Sequence, residues 1–197
     1  MAEVKKATGR ELPAMVSTLS DAFSTDPLFS WIAGRRSSPS ALAGLFGPLV
    51  GRQLPRDDHE VHAADDGRGV AVWYPPDGWK VPPSQVLSML PSTVASLRAG
   101  AVRLLRVLTA VEKVHPPEPH YYLEFLAVHP SRQGGGLGSA LLEAMTQRCD
   151  EEGLGAYLEN SNPRNTPLYA RFGFTERGHI ALPAGAPPIL AMWRDPR

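Results

Sequence analysis

The chain of 197 residues carries 20 Lys and Arg against 20 Asp and Glu, so its formal net charge is zero. Proteins bind nucleic acids and anionic membranes largely by neutralising phosphate charge with Lys and Arg, and this sequence has no excess of basic residues for either partner. The content of Pro 20 and Gly 18 predicts long loops and interrupted helices around the core of one domain. The single cysteine, Cys149, excludes an internal disulfide framework, and we expect a soluble cytoplasmic protein.

Hydrophobic periodicity and turn residues divide the chain into alternating elements. The first helix is expected to end at Asp26-Pro27, and a long helical stretch to be interrupted at Pro91 and Gly100. In chain order the patterns predict a strand at 3–7, a helix at 12–23, a helix capped at 38–40 and running to 50, a hairpin at 61–64 and 69–74, helices within 84–114, a strand at 120–128, a helix at 137–152, a strand at 156–160, a short helix at 166–172, and strands at 174–180 and 189–194. The alternation in the second half is typical of an α/β sandwich.

A glycine-rich turn joins the predicted strand 120–128 to the predicted helix 137–152. Its glycines, at 134, 135, 136 and 138, let backbone N–H groups point into one concavity, to which the helix N-terminus adds partial positive charge. The turn is not a P-loop, because no lysine precedes Ser139. It is not the dinucleotide fingerprint either, because Ser139 stands where the third glycine belongs. We expect an anion in this turn, a pyrophosphate above all.

Two ordered motifs carry a family resemblance. Residues 133–138, Gln-Gly-Gly-Gly-Leu-Gly, resemble the pyrophosphate-binding motif Gln/Arg-x-x-Gly-x-Gly/Ala of the GNAT superfamily of acetyl-CoA-dependent N-acetyltransferases. Residues 162–174 are similar to a second motif of that superfamily, in which Leu-Tyr precedes Gly-Phe. The alternative for the glycine turn is a structural helix cap with no ligand. The acidic hairpin and the 158–165 run are similar to the puromycin N-acetyltransferase group, which suggests a small-molecule acceptor.

The resemblance implies an α/β (α+β) GNAT fold, with a central mixed, mostly antiparallel splayed β-sheet of six to seven strands flanked by helices. Residues 1–197 would be a single N-acetyltransferase domain, with 81–119 as a helical insertion on the acceptor side. Acetyl-CoA would be the cosubstrate and a small primary amine the acceptor. Direct attack in a ternary complex is expected, because the sequence places no Cys or Ser nucleophile. We expect a monomer or homodimer with no metal, nucleic-acid or membrane partner.

Two other functions stay open from the sequence. One is a protein or peptide N-acetyltransferase, which would need an open acceptor groove. The other is a non-catalytic module that binds acyl-CoA as a sensor. Assays of transfer across amines and peptides distinguish all three.

Glu124 is the candidate general base, because an amine nucleophile is mostly protonated at neutral pH and must lose a proton. The two-residue period of a strand predicts that it shares one face with His120, Tyr122, Leu126 and Val128. The resemblance implies a glutamate base at this strand position. The alternative is a carboxylate that only pairs with a neighbouring group, with His120 as the substitute base.

Tyr169 is the candidate general acid for the leaving thiolate, since a neutral phenol with an ordinary pKa of about 10 is protonated and able to donate. The resemblance assigns it this role at the matching motif position. The alternative is an aromatic core residue on a short helix.

The resemblance also assigns the cofactor contacts. The backbone of the strand end would pair with the pantetheine arm, the glycine turn would hold the pyrophosphate, and the Leu126 N–H would face the oxyanion. Asn162 and Asn165 are also ordinary helix-capping residues. The candidate cofactor-binding residues are Leu126, Ala127, Val128, Gln133, Gly134, Gly135, Gly136, Leu137, Gly138, Ser139 and Asn165.

Two further groups have ordinary explanations. The aromatic residues of the first half form either core or a wall of the acceptor pocket, and the arginines after residue 97 are expected on a solvated helix face. These groups are Phe23, Phe29, Trp31, Trp73 and Trp79, and Arg98, Arg103 and Arg106.

Overall fold

Strands and helices alternate through the second half of the chain, whereas helices dominate the first half. The computed structural model describes residues 3–56, 58–80 and 82–197, so the first residue of the 81–119 segment lies outside the described residues. The strands are β1 (Val4–Lys6), β2 (Glu60–Ala64), β3 (Gly69–Tyr74), β4 (His120–Val128), β5 (Gly155–Asn160), β6 (Thr175–Ile180) and β7 (Ile189–Arg194). The α-helices are α1 (Leu12–Phe23), α2 (Pro27–Ala33), α3 (Pro39–Gln53), α4 (Pro83–Leu97), α5 (Gly100–Val114), α6 (Leu137–Glu152) and α7 (Thr166–Arg171). Within these described residues, none of the helices is long and apolar enough to cross a membrane.

The seven strands form one sheet in the order β1-β2-β3-β4-β5-β7-β6. Neighbouring strands are antiparallel except β4 and β5, which are parallel. Pairing between β4 and β5 ends at Leu123 and Leu158, although β4 continues to Val128. The two strands therefore separate in the middle of the sheet, which confirms the predicted splayed, mostly antiparallel architecture.

Each face of the sheet carries its own hydrophobic core. On β3, Val70 and Val72 pack into a core formed with helices α1 to α5, whereas Ala71 and Trp73 pack into a core formed with α6 and α7. This alternation follows the two-residue period of a strand with both faces covered. The point where β4 and β5 separate therefore has helices α1 to α5 on one side of the sheet, called the α1–α5 side, and helices α6 and α7 on the other, called the α6–α7 side.

Helix α2 was not predicted, because Asp26-Pro27 was interpreted only as the end of α1. Asp26 instead caps the next helix, its carboxylate accepting hydrogen bonds from the Leu28 and Phe29 backbone N–H groups at 2.9 and 3.1 Å. Proline at the first helical position fits this role, since its missing N–H needs no partner there. A turn signal and a helix-start signal thus coincide in this dipeptide.

The break between α4 and α5 lies at Arg98, which has a positive φ of 50°, and Pro91 remains inside α4. Helix α5 begins against α2, where a Cβ on Gly100 would lie 2.4 Å from the Ile32 carbonyl oxygen. Arg103 extends this contact by donating to the same carbonyl at 2.9 Å. The expected solvated face is therefore wrong for Arg103, whose guanidinium joins two helices.

Candidate active site

Within the described part of the chain, the glycine turn leaves backbone donors without acceptors at the start of α6. Gly136 occupies the N-cap position with φ 83° and contributes no side chain, and the first bond within the helix runs from Ala140 N–H to the Gly136 carbonyl. The N–H groups of Leu137, Gly138 and Ser139 therefore precede the hydrogen-bonded part of the helix. These donors and the helix dipole suit the binding of an anion, for which no lysine is needed.

The space in front of the turn is open. Gly134 and Gly136 both have positive φ, and a Cβ on either would meet no atom of the described residues within 4 Å. Gly138 lies against the end of β4 and helix α7, because its Cβ would lie 3.7 Å from Val128 and 3.6 Å from Leu168. Gly135 and Gln133 complete an exposed loop that lies next to both elements.

The end of β4 has backbone groups that are directed away from β3. The His129 N–H donates to the Arg68 carbonyl at 2.8 Å, and alternate residues of an antiparallel strand point the same way. The N–H and carbonyl groups of Leu126 and Val128 therefore point toward the side from which β5 has departed, while those of Ala127 point to β3. On that side, the Gln133 side chain donates a hydrogen bond to the Val128 carbonyl at 3.1 Å.

Glu124 is the extra residue of a β-bulge in β4. Val72 pairs with Phe125 and Trp73 pairs with Leu123, so Glu124 has no partner residue on β3. The bulge reverses the alternation of side chains along the strand. Tyr122, Phe125 and Ala127 pack on the α1–α5 side, whereas Leu126 and Val128 pack on the α6–α7 side. The prediction that Glu124 shares a face with Leu126 and Val128 is wrong for this reason.

The carboxyl group of Glu124 lies among tyrosines on the α1–α5 side. The Tyr74 hydroxyl lies beside it and accepts a 2.6 Å bond from the Gln53 side chain of α3. The carboxyl oxygen Oε2 is buried and has no partner among residues 3–56, 58–80 and 82–197. Burial raises the pKa of Glu124 to about 7, partly opposed by the neighbouring Tyr74 hydroxyl and reinforced by the negative charge of Glu159. Such a carboxylate is able to remove a proton at neutral pH.

Tyr169 lies on the opposite side of the sheet, in the core formed with α6. Its ring packs edge-on against Phe174, with ring centroids 6.1 Å apart. Burial raises the pKa of the Tyr169 phenol, and the negative charge of Asp26 acts in the same direction. The phenol is therefore protonated at neutral pH.

The asparagines near α7 have separate roles. The Asn162 side chain accepts from the Arg164 N–H at 3.2 Å, which is the ordinary capping role. Asn160, which was not singled out from the sequence, donates from its amide to the Thr166 hydroxyl at 2.9 Å. Asn165 is exposed, and the part of the chain described here provides no capping bond to its side chain.

The aromatic residues of the first half do not form one wall. Phe23 and Phe29 pack together with Phe46 and Phe125, with ring centroids 4.8 to 6.3 Å apart. Trp73 is buried on the other face of the sheet. The core interpretation is thus confirmed for the phenylalanines, while Trp31 and Trp79 stack on Arg103 and His115 instead.

Cys149 is buried in the core beneath α6, where burial raises the pKa of its thiol to about 12. A thiol with so high a pKa is a poor nucleophile at neutral pH.

Comparison with known proteins agrees with this geometry. A sequence model of the Acetyltransferase (GNAT) family matches residues 98–174. The chain is 30% identical to a Corynebacterium glutamicum protein whose crystal structure is named histone acetyltransferase HPA2 and related acetyltransferase; the match covers 100% of this chain and 97% of that one, with a TM-score of 0.74. It is 27% identical over 213 residues to an uncharacterized N-acetyltransferase of Schizosaccharomyces pombe, covering 98% of this chain and 83% of the relative. Arylalkylamine N-acetyltransferase 2 of Aedes aegypti, at 11% identity and a TM-score of 0.64 over 100% and 99% of the two chains, shares the fold. The chain therefore belongs to the GNAT family of N-acetyltransferases.

Proposed function

We propose that this N-acetyltransferase moves the acetyl group of acetyl-CoA to a primary amine of a small molecule in the cytoplasm, by direct attack in a ternary complex. One observation carries the proposal: Glu124 directly follows the last β4 residue that pairs with β5, on the α1–α5 side, while Tyr169 shares the core on the other side of the sheet with Leu126 and Val128. A base on one side and an acid on the other suit an amine and a thioester that meet between them.

The residues present fit acetyl-CoA, which supplies an acetyl group activated as a thioester. The open cradle at Gly134 and Gly136 accommodates a pyrophosphate, which a side chain at either position would crowd. The outward-directed N–H and carbonyl of Leu126 and the N–H of Val128 are available for the pantetheine amides, whereas the Val128 carbonyl accepts from Gln133. The Leu126 N–H is the proposed donor to the oxyanion. Asn165 is a proposed contact at the edge of this site.

Glu124 accepts the proton of the attacking amine. An alkylamine with a pKa of about 10.4 and a carboxylate with a pKa of about 7 differ by about 3 units, or about 5 kcal/mol. An ordinary glutamate, with a pKa of about 4.3, would face a difference of about 6 units. Burial of Glu124 therefore lessens the cost of forming the neutral amine.

Tyr169 donates a proton to the departing thiolate. The Tyr169 phenol is buried and keeps its proton at neutral pH, so it donates a hydrogen bond that stabilises the thiolate as the C–S bond breaks. Full transfer of the proton is uphill, because a CoA-type thiol has an ordinary pKa near 8.5, and it requires Tyr169 to regain a proton, ultimately the one released by the amine. A covalent acetyl-cysteine route has no support, since the single cysteine is in the core.

A protein acceptor is the second candidate, favoured by the name of the Corynebacterium relative, which includes histone acetyltransferase. The name of the Aedes structure, an arylalkylamine N-acetyltransferase, favours the small amine. Helices α4 and α5 cover the α1–α5 side, and we propose that the 81–119 segment bounds the acceptor pocket there.

A thiol-release assay with acetyl-CoA tests the proposal, using a panel of aryl- and alkylamines, aminonucleosides and lysine-containing peptides. Turnover with small amines above the rate of acetyl-CoA hydrolysis is expected. Turnover with peptides alone would replace the small-molecule acceptor. Tight binding of acetyl-CoA without transfer to any acceptor would contradict an enzymatic role.

A further inference from the structure

A buried cluster of polar rings lies behind the candidate base. His115 follows α5 and His120 begins β4, and their Nε2 atoms lie 3.1 Å apart. Glu159 of β5 faces this pair, with Oε1 3.8 Å from His115 Nδ1. We call His115, His120 and Glu159 the His115 cluster. The side chains of His115 and Glu159 are only 1% and 8% exposed, so solvent does not supply their partners.

The hydrogen bonds of the cluster fix where its protons sit. The His120 Nδ1 contacts the Glu118 backbone carbonyl, which only accepts, so His120 Nδ1 carries a proton. A neutral His120 then has a lone pair on Nε2 and accepts from the Nε2–H of His115. A neutral His115 would in turn present a lone pair at Nδ1.

This arrangement leaves two acceptors facing each other. The His115 Nδ1 and the Glu159 Oε1 are both buried, and neither has a hydrogen-bond partner within the described parts of the chain. A carboxylate opposite an imidazole lone pair would be repulsive, and two unsatisfied buried acceptors cost about 1–3 kcal/mol each. A proton on His115 Nδ1 removes the repulsion and pairs an imidazolium with the carboxylate at 3.8 Å. The Tyr157 hydroxyl, which is also buried without a partner among the described residues, is the other donor beside Glu159.

The surroundings favour the proton on the imidazole. The indole of Trp79 stacks on the His115 ring with centroids 3.6 Å apart, which stabilises a cation over the aromatic face. The Tyr122 hydroxyl donates to the other carboxylate oxygen of Glu159 at 2.7 Å, which stabilises the anion. Both contacts therefore favour an imidazolium at His115 and a carboxylate at Glu159 over a neutral imidazole and a carboxylic acid.

The cluster lies directly beside the base. Leu123 and Leu158 are the last paired residues of β4 and β5, so Glu124 and Glu159 are the next residues on the two strands. The Tyr122 hydroxyl donates to Glu159 at 2.7 Å, and burial of Tyr122 and the negative charges of both glutamates raise the pKa of its phenol. A negative charge on Glu159 makes the Glu124 carboxyl harder to ionise and therefore a stronger base.

We propose that His115 and Glu159 hold one proton between them as a buried imidazolium–carboxylate pair, and that Glu159 is a positioning residue that keeps a negative charge beside Glu124. The inference rests on the proposed function, because it assigns Glu159 to the base of that reaction. The groups that face the pair are Tyr74 of β3, Tyr122 and Glu124 of β4, Tyr157 of β5, and His120.

Imidazole nitrogen NMR of the whole protein tests the pair without any acceptor or acetyl-CoA. At about pH 7.5, we expect both ring nitrogens of His115 to show the chemical shifts of an imidazolium, and His120 to show the neutral Nδ1–H tautomer. In Glu159→Gln, His115 is expected to become neutral at the same pH. A neutral His115 in the wild-type protein would overturn the proposal.

Kinetics test the effect on the base. Glu159→Gln removes the negative charge, and His115→Phe retains the stack on Trp79 while leaving Glu159 to take the proton itself. Both variants are expected to shift the acidic limb of the kcat/KM profile to lower pH by about one unit. Glu112→Gln, at an exposed position of α5, is the matched control and is expected to leave the limb in place.

The results separate the inference from the proposed function. An acidic limb that stays in place in both cluster variants would overturn the positioning role. If no acceptor is found, the proposed function fails, whereas the NMR titration still decides the protonation of His115. Thermal unfolding shows whether each variant has folded. If His115→Phe has not folded, Glu159→Gln and the titration of the wild-type protein decide.

Discussion

The Ser161 hydroxyl donates a 2.8 Å hydrogen bond to the Asp26 carboxylate, joining the loop after β5 to the start of α2 across 135 residues of sequence. The same carboxylate caps α2 through its other oxygen and acts electrostatically on the phenol of Tyr169. One side chain thus connects the α1–α5 layer to the α7 side of the site.

Asp26→Ala is expected to lower the unfolding free energy by about 1–2 kcal/mol, because α2 loses its cap. Asp26→Asn keeps an oxygen for the cap, and it removes a carboxyl whose pKa is raised by burial, so we expect stability at least equal to that of the wild type near neutral pH. Urea unfolding measures both variants. Equal losses for alanine and asparagine would contradict the capping explanation.

Tyr169→Phe is expected to lower kcat by about 10²-fold or more, since the leaving thiolate loses its proton donor. The affinity for acetyl-CoA should remain nearly unchanged, because the aromatic ring is retained and only its hydroxyl is lost. Tyr121→Phe is the matched control: its hydroxyl donates to Glu152 at 2.8 Å, and the ring lies in the same core. Steady-state kinetics and calorimetric binding provide the two measurements. Unchanged turnover in Tyr169→Phe would exclude the acid role.

Glu124→Gln is expected to lower kcat/KM by about 10²-fold at neutral pH and to abolish the acidic limb of the pH profile, which in the wild type reflects a carboxyl with a pKa of about 7. Glu143→Gln, at an exposed position on α6, should leave both unchanged. A variant at position 124 that retains the wild-type profile would show that another group accepts the proton.

Glu124→Gln, which is expected to lower activity, is expected to raise stability at neutral and alkaline pH. The pKa of Glu124 is about 7 in the folded protein and about 4.3 in an unfolded chain, so the folded state binds the proton more tightly. The stability supplied by that proton is complete below about pH 4 and is lost as pH rises through about 7. Glu124→Gln should therefore be more stable than the wild type at about pH 8, by up to about 4 kcal/mol, and equal to it at about pH 4. Urea unfolding across this range checks the sign.

Gly136→Ala is expected to weaken acetyl-CoA binding by about tenfold and to cost about 1 kcal/mol of stability, because a Cβ enters the cradle at a positive φ. Gly153→Ala is a close control at the other end of α6. Its φ of 67° imposes similar strain, and its Cβ also meets no described atom within 4 Å. Similar stability losses in both variants, with weaker binding only at Gly136, are expected. Equal binding in both would remove the turn from the cofactor site.

The sequence predicts the second half of this fold well, because its signals are local. The helix at 137–152 and the strands at 120–128 and 189–194 have the predicted bounds. In α6 a glycine turn, an apolar period and a final glycine all agree. The Asp26-Pro27 dipeptide was ambiguous because the same two residues end one helix and begin another.

The features that were missed depend on pairing between distant segments. The bulge at Glu124 is defined by β3 residues that follow a separate turn, and nothing in the run of β4 itself marks it. The contact of His115 with Glu159 joins a loop to a strand end, with no motif at either position. Hydrophobic periodicity along the sequence indicates which residues face a core, but it does not indicate which strands separate.

The extra residue in β4 shifts the numbering of its alternation by one position, so Tyr122 and Phe125, three residues apart, face the same layer. Upstream of it, Tyr122 faces the layer where an acceptor would enter, and downstream of it Leu126 and Val128 turn their side chains to the opposite layer. Deleting residue 124 would restore a regular register, because Leu123 and Phe125 already pair with the adjacent β3 residues Trp73 and Val72, and it would leave Phe125 and Ala127 on their present side. The extra position therefore adds one side chain, the Glu124 carboxylate, between two runs whose own faces it leaves unchanged.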